Sequence, residues 1–503
     1  MTRRLARQVE RILDEGSGNR RSVIVRMKLP EKDEETLLAA VAHAIQRRAL
    51  LLSARDILPA HPNRLVGPAG ETPSDRSGES LGEDGGVAGP VAATAIRQVS
   101  KRGLRSRSLK SLRPLVSSLL ELRQETHGAR SFWTSKCVVL HTNRDDLARL
   151  NRLVDEALIG DIYPNRTLQV PRLVELNTLP SRVLENKASA WGIHAVGGLA
   201  ARGAYGAGGK GVKVGVLDTG VDASHPDLEG KVADWAEFDA NGEEVSDSRP
   251  HDTARHGTHV AGTIAGGRAS GRWIGMAPDA KLAVAIALDG VKGGTDAQVL
   301  AAIDWAVERG VDVLNMSLGG MTLGPEVPST YTEAILTSLR AGIPVVTAIG
   351  NDGQQITGSP GNDLLSFSVG ATDYRDCAAA FSGGRTHVIR ESGFVSPENL
   401  PLVYSKPEIS APGVAVYSSV PGGKWVAFNG TSMATPHVAG AMALLLSATS
   451  IKKRVAPTNR AFLIQDLLTG SVEELGEIGQ DHRFGFGRLD ILQAIGFARE
   501  KGF

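Results

Sequence analysis

Residues 429–440 read Asn-Gly-Thr-Ser-Met-Ala-Thr-Pro-His-Val-Ala-Gly, and the run they open constrains the fold more than any other stretch. From His437 to Leu446 the side chains are small or apolar on all sides. A helix of that composition has no face for water and must lie buried. Pro436 fits the first turn of such a helix, where a missing N–H costs nothing, and Gly430 permits a tight approach. Ser432 is therefore placed where a loop meets a helix N-terminus, among backbone N–H groups and a dipole that favour negative charge. That position suits a nucleophile whose substrate develops an oxyanion.

Three further segments end in reactive or polar side chains. Residues 212–217 read as a short buried strand that delivers Asp218 at its C-terminal end, followed by Thr219-Gly220; in a parallel sheet that edge faces the ligand. His256-Gly257-Thr258-His259-Val260-Ala261-Gly262 carries two histidines. A buried strand over 343–349 leads into Gly350-Asn351-Asp352-Gly353. These segments, with Gly430-Thr431-Ser432-Met433-Ala434-Thr435-Pro436-His437, resemble the aspartate, histidine, oxyanion and nucleophile motifs of the subtilisin-like serine proteases, the subtilases. The chain order Asp218, His256, Ser432 separates that arrangement from the other serine-hydrolase orders. The resemblance runs from about residue 191 to 494. It implies an α/β fold with a mainly parallel sheet and helices on both faces, and a serine endopeptidase working through an acyl-enzyme. Ser432 would be the nucleophile, His256 the general base, Asp218 its orienting carboxylate, and Asn351 an oxyanion-hole donor. Arg255 stands where the family often has Gly, which gives no reason to expect loss of activity.

The same resemblance assigns substrate contacts. Gly293-Gly294-Thr295 and Ser317-Leu318-Gly319-Gly320 resemble the two edges between which a substrate adds as a strand, so that main-chain bonds carry affinity. Gly350 precedes the oxyanion residue, and Gly358-Ser359-Pro360-Gly361 resembles the floor of the primary specificity pocket. A glycine at 358 leaves room for a large side chain, and Asp352 at the rim is a candidate for attracting a basic one. Residues 373–383, 406–413 and 484–490 resemble later segments of the family, and 387–405 resembles an inserted loop. Secreted subtilisins wrap calcium in the loop that corresponds to 267–273. Here that loop holds Arg268 and Arg272, with Ala269 at the position of the ligating Asn. Calcium takes six to eight oxygens, so no calcium is expected there although Asp227 matches a ligand. His256 and His259 lack the spacing and Glu of a zinc helix. The G-x-G-x-x-G at 206–211 precedes its strand instead of following one, which fails the dinucleotide context. No cofactor or metal is expected.

The first third is less specific. Residues 22–29 alternate as a strand and 33–52 carry helical spacing. Residues 61–90 are rich in Gly, Pro, Ser and acids, and read as a mobile linker or insertion (about 58–113). Residues 97–113 hold seven Lys or Arg without an acid or an aromatic. That pattern is read as a solvated basic segment, open to nicking, in preference to a nucleic-acid site, which lacks its aromatics. A helix over 115–125, a strand over 132–141, a helix over 145–158 and a strand over 160–170 complete a small α+β unit. Its second half resembles the inhibitory propeptides of subtilases. The expected organisation is residues 1–175 as a propeptide-like domain, 176–190 as a linker near the substrate groove, and 191–503 as the peptidase domain. The partners implied are protein or peptide substrates and the chain's own N-terminal domain. A processing site is expected within 171–187. A net charge of +1 points to neither nucleic acid nor a membrane surface. Two cysteines in 503 residues make no disulfide framework and favour a reducing, cytoplasmic setting. That setting raises an alternative: a latent regulatory protease or sensor whose N-terminal domain stays bound until a partner or a cut releases it.

Overall fold

The computed structural model describes residues 21–28, 34–42, 130–142, 159–169, 174–176, 180–181, 183, 187–322 and 326–503. The linker of 61–90, the basic segment of 97–113 and the helices expected over 115–125 and 145–158 lie outside the described residues.

Apolar β-branched runs build a seven-stranded sheet. Its strands are β7 (Lys213–Asp218), β8 (Val232–Glu237), β9 (Lys281–Ile286), β11 (Val313–Met316), β13 (Val345–Ala348), β15 (Phe367–Thr372) and β18 (Ile409–Pro412). They lie in the order β18-β15-β13-β11-β7-β9-β8, and every adjacent pair is parallel. Because side chains alternate along a strand, each strand feeds two cores. Val214, Val216, Leu282, Val284, Val313 and Val346 join one apolar cluster. Leu217, Ala283, Ala285, Leu314, Met316 and Val345 join the other. Helices α1 (His256–Ala265) and α4 (Thr431–Ala448) belong to the first cluster. Helices α2 (Asp296–Glu308) and α3 (Thr332–Arg340) belong to the second. The expected two-faced α/β architecture is thus present.

Helix α4 starts earlier than its sequence suggests. It begins at Thr431, so Pro436 lies inside it and not in its first turn. The missing proline N–H leaves the Ser432 carbonyl without its intrahelical donor; the Ser317 hydroxyl donates to that carbonyl instead, at 3.1 Å. The expected inserted loop of 387–405 also has more structure than its sequence suggests, because β16 (Arg385–Ile389) and β17 (Leu402–Lys406) pair as an antiparallel hairpin.

The N-terminal residues form a separate antiparallel sheet in the order β2-β3-β1-β4: β1 (Arg21–Met27), β2 (Arg130–Phe132), β3 (Cys137–Thr142) and β4 (Ile159–Pro164). The single strand expected over 132–141 is cut in two by a turn at 133–136, where Lys136 takes a positive φ of 51°. That turn faces α2. The Trp133 and Thr134 backbone N–H groups donate to Asp304 at 2.7 and 3.0 Å, and Trp133 Nε1 donates to Glu308 at 3.0 Å. The strand expected over 160–170 also divides, into β4 and β5 (Thr167–Leu168), because the chain leaves one sheet there and joins another. Val23, Ile24, Val25, Phe132 and Ile162 lie in the same apolar cluster as α2 and α3, so the sheet is docked through shared core as well as through these polar contacts.

Candidate active site

Strand β7 carries Asp218 to the C-terminal edge of the sheet, and α1 begins with His256. Both side chains are fully buried, with His256 Nδ1 2.6 Å from Asp218 Oδ1. The Thr219 N–H donates to the same oxygen at 2.8 Å. The strand end and helix start can approach this closely only because Gly257 has no side chain: a Cβ there would lie 2.0 Å from the Gly220 carbonyl oxygen. Burial works against a charged His256 ring, but the adjacent Asp218 carboxylate and its hydrogen bond, with Asp252 beyond, raise its pKa above the ordinary imidazole value.

Asp252 is a positioning residue that the sequence reading missed. Its Oδ1 accepts from Thr219 Oγ1 at 2.7 Å, and its Oδ2 accepts from the Thr258 N–H at 2.8 Å and from Thr258 Oγ1 at 2.6 Å. Thr219 Oγ1 in turn accepts from the Gly257 N–H at 2.9 Å. One carboxylate therefore ties the strand that holds Asp218 to the helix that holds His256. The available signal was an acid four residues before His256, at a helix start where acids cap free N–H groups.

Ser432 is the second residue of α4 and 1% exposed. Its hydroxyl donates to the Ser317 carbonyl at 3.1 Å, and among the described residues His256 Nε2 has no hydrogen-bond partner. The expected Ser432–His256 bond is thus not made here. A hydroxyl exchanges such partners by rotation about one bond, and these contacts tighten on substrate binding. Asn351 lies against the same helix start, its Oδ1 accepting from the Thr431 N–H at 2.8 Å and from Thr431 Oγ1 at 2.9 Å. That pairing fixes the amide and leaves its NH2 as the donor not engaged by Thr431. Gly350, at a φ of 116°, makes the turn that brings Asn351 there.

Gly293 and Gly294 lie where an edge was expected, and that edge is occupied. Strand β10 (Gly294–Thr295) pairs antiparallel with β5, Gly294 opposite Leu168 and Thr295 opposite Thr167. A Cβ on Gly293 would lie 2.2 Å from the Leu168 carbonyl oxygen, and one on Gly320 would lie 3.2 Å from Leu168 Cδ2. Leu168 is therefore wedged between the two glycine segments. Ser317 and Leu318 are buried, and among the described residues neither they nor Gly319 pair with this segment. Gly358 lies in β14 (Thr357–Ser359), which pairs with β12 (Gly320–Thr322). Asp352 is exposed.

A later piece of the N-terminal region pairs with the strand that leads into the Ser432 helix. Strand β6 (Val174–Glu175) pairs antiparallel with β20 (Lys424–Asn429), which leads directly into α4 and is also paired with β19 (Val416–Val420). The Leu176 N–H adds a bond to the Ala427 carbonyl at 3.1 Å. Arg255, beside His256, has its Nη1 2.7 Å from Glu175 Oε2.

Neither metal reading gains support. His259 Nε2 lies 2.9 Å from the Val416 carbonyl oxygen, and burial pushes its pKa down to about 3, as befits a neutral structural histidine. The two Asp227 oxygens accept from the Ala269 N–H at 2.6 Å and from Trp425 Nε1 at 2.7 Å. N–H donors thus fill the directions a cation would need, and Arg268 lies over the Trp273 ring.

Comparison with known proteins identifies the family. The subtilase family matches residues 209–487. Subtilisin NAT of Bacillus subtilis subsp. natto is 38% identical over 291 residues, 57% of this chain and 66% of that protein's length. Subtilisin DY of Bacillus licheniformis is 37% identical over 290 residues, 57% of this chain and 91% of that protein. The protein named intracellular serine protease of Paenibacillus polymyxa is 38% identical over 242 residues, 47% of this chain and 67% of that protein. The chain belongs to the subtilase family, the subtilisin-like serine proteases.

Proposed function

We propose that this chain is a serine endopeptidase made in a self-inhibited form. The observation that carries the reading is the buried Asp218–His256 pair, at 2.6 Å, beside a serine at the start of a buried helix. His256 Nε2 takes the Ser432 proton as Oγ attacks the scissile carbonyl, and the imidazolium formed is stabilised by Asp218. The Asn351 amide and the Ser432 N–H hold the tetrahedral oxyanion. His256 then protonates the leaving amine, the acyl-enzyme forms, and water repeats the sequence in reverse. Substrate enters as an extended strand along Gly293–Gly294 on one side, with Ser317, Leu318 and Gly319 opposite. Gly350, Gly358 and Asp352 shape the pocket for the residue before the cut.

The N-terminal sheet acts as the inhibitor. Strand β5 fills the Gly294–Thr295 edge and β6 fills the edge of the strand that leads into the Ser432 helix, which supports the zymogen reading and equally the latent alternative, in which the domain stays docked until a partner or a cut lifts it. The bond cut in maturation then falls between these two anchors, within 169–173, at the start of or just before the expected 171–187. A setting inside the cell fits the two free cysteines, and no helix among the described residues is long and apolar enough to cross a membrane. Protein substrates need neither nucleic acid nor lipid.

The test is intact mass together with fluorophosphonate labelling of the wild type and Ser432→Ala. A wild type that loses its N-terminal part and takes label, beside an intact and unlabelled variant, is the expected result. A full-length wild type that labels only after a cut within 61–113 selects the latent form. Label retained by Ser432→Ala would remove Ser432 from the mechanism.

A further inference from the structure

Asp296 opens α2, is fully buried, and was not singled out by the sequence. Arg166, 130 positions earlier, grips it with a fork: Nε lies 2.8 Å from Oδ2 and Nη2 2.9 Å from Oδ1. The Arg166 backbone N–H donates to Oδ2 at 3.0 Å, and the Asp296 N–H donates to the Arg166 carbonyl at 3.1 Å. Tyr331, fully buried, donates its hydroxyl to Oδ1 at 2.5 Å, and Arg166 Nη2 also reaches Ser359 Oγ at 3.2 Å.

The placement of this cluster matters more than its strength. Arg166 extends by one residue the ladder in which Thr295 faces Thr167 and Gly294 faces Leu168. Its backbone therefore follows the edge that a substrate strand uses. Its side chain enters a slot walled by Asp296 and Tyr331, with Ser359 coming from the strand that also holds Gly358. When the segment leaves, the Asp296 carboxylate keeps the Tyr331 hydroxyl but loses the one cation it pairs with among the described residues. A desolvated carboxylate in an open slot favours a cationic side chain over a neutral one. Donors presented in a planar fork favour arginine over lysine.

We propose that Asp296, Tyr331 and Ser359 form an arginine-selecting subsite, which takes the side chain two residues before the one paired with Gly294. The substrates it favours are extended polypeptides with arginine at that position. Its consequence for cleavage rests on the endopeptidase reading; its preference in binding does not.

The test separates the two. Full-length protein carrying Ser432→Ala, to prevent turnover, Arg166→Ala, to vacate the slot, and Thr167→Pro with Leu168→Ala, to break the two-residue ladder that covers the edge, is titrated with fluorescein-labelled peptides of residues 163–170 that bear Arg, Lys or Ala at position 166. Anisotropy is expected to show the Arg peptide binding about tenfold tighter than the Ala peptide and about threefold tighter than the Lys peptide. Adding Asp296→Asn brings the three within about twofold of one another. Equal affinities of the Arg and Ala peptides, or binding of neither at about 1 mM, a free energy of only about 4 kcal/mol, would overturn the subsite. If Asp296→Asn does not fold by circular dichroism, the peptide comparison on the Asp296 protein decides alone. Incubating longer peptides spanning residues 163–176 with the wild-type chain reads catalysis separately. Cleavage without an arginine preference removes the subsite; arginine-selective binding without cleavage, by wild type whose intact mass shows that the N-terminal part has been lost, removes the endopeptidase reading.

Discussion

Glu333, on α3, is the point at which removing a single charge should loosen the N-terminal sheet from the rest of the chain. Its Oε2 lies 3.5 Å from Arg26 Nη1 and its Oε1 lies 3.1 Å from Lys136 Nζ, while Arg26 Nη2 lies 2.6 Å from Asp161 Oδ2. Two cations and two carboxylates therefore balance across the interface. The side chains of Arg26, Asp161 and Glu333 are 7%, 1% and 4% exposed; that of Lys136 is 20% exposed. Burial opposes the Arg26 charge, yet Asp161 and Glu333 raise its pKa above the ordinary arginine value. Glu333→Gln keeps the volume and leaves one uncompensated positive charge. Breaking a buried pair this way costs about 3–5 kcal/mol. Lys136 can turn partly to water, which lowers the expected figure to about 2–3 kcal/mol, or about 30–150-fold in the docking equilibrium. The assay is amide hydrogen exchange on full-length Ser432→Ala, read at Trp133 and Thr134, whose N–H groups bond to Asp304 across the interface. Their protection should fall by that factor, and Lys136→Met added to Glu333→Gln should restore most of it, since the cost is an unpaired charge. Protection unchanged within about threefold, or a double variant looser than the single one, would refute the reasoning.

Three further outcomes follow from the site. Asp218→Asn should lower kcat/KM by about 10⁴, because the ring loses its tautomer and its counter-charge. Since Asp218 raises the His256 pKa and the base must be neutral, wild-type kcat/KM should climb with pH through a midpoint above about 6.5, and the midpoint of the Asn variant should move down. A pH profile unchanged by the substitution would separate His256 from the reaction. Asn351→Ala should cost about 10²–10³ in kcat with KM nearly constant, as expected for a donor engaged only by the oxyanion; steady-state kinetics on one peptide decides it. Arg255→Ala should slow cleavage of peptides with an acid at the position of Glu175 by about two- to fivefold, the worth of an exposed pair, and leave neutral peptides unaffected. Both partners are 42% exposed, so a larger loss would point to a role beyond that contact.

The parts of the site that the sequence showed are those built from neighbours in the chain. Asp218 ends a strand whose apolar run is continuous, and Ser432 and His256 start helices marked by small residues; each sits in a short local pattern that a sheet or helix dictates. What stayed hidden depends on partners far apart. Nothing in residues 160–170 announces that Arg166 meets a carboxylate at 296, or that Arg26, Lys136, Asp161 and Glu333 close one charge cluster. Strand breaks were hidden for another reason. The turn at 133–136 contains no Gly, Asn or Pro to mark it, and Lys136 holds a positive φ in a turn that Asp304 pins through backbone donors. Pro436 misled in the opposite direction, since it ordinarily marks a helix start and here lies within a helix whose freed carbonyl is satisfied by Ser317.

The two kinds of contact have different consequences for release of the N-terminal sheet. The apolar residues of β1 and β2 share a core with α2 and α3, and that contribution is insensitive to salt and changes slowly with pH. The segments in the groove are held by short ladders, β5 on β10 and β6 on β20, each only two residues long, with the half-buried Arg166 on the buried Asp296 as an ionic anchor among them. Cutting the chain between the two ladders would remove neither the shared core nor that anchor. The covalent tether would be lost, but it supplies only effective concentration. A cut product should therefore stay bound until the sheet itself unfolds or is digested. The step that frees Ser432 is then loss of the packed sheet, and substitutions in the shared core, such as Val25→Ala, should shorten the lag before activity appears far more than substitutions in the ladders do. A lag that follows Leu168→Ala and ignores Val25→Ala would place control in the groove instead.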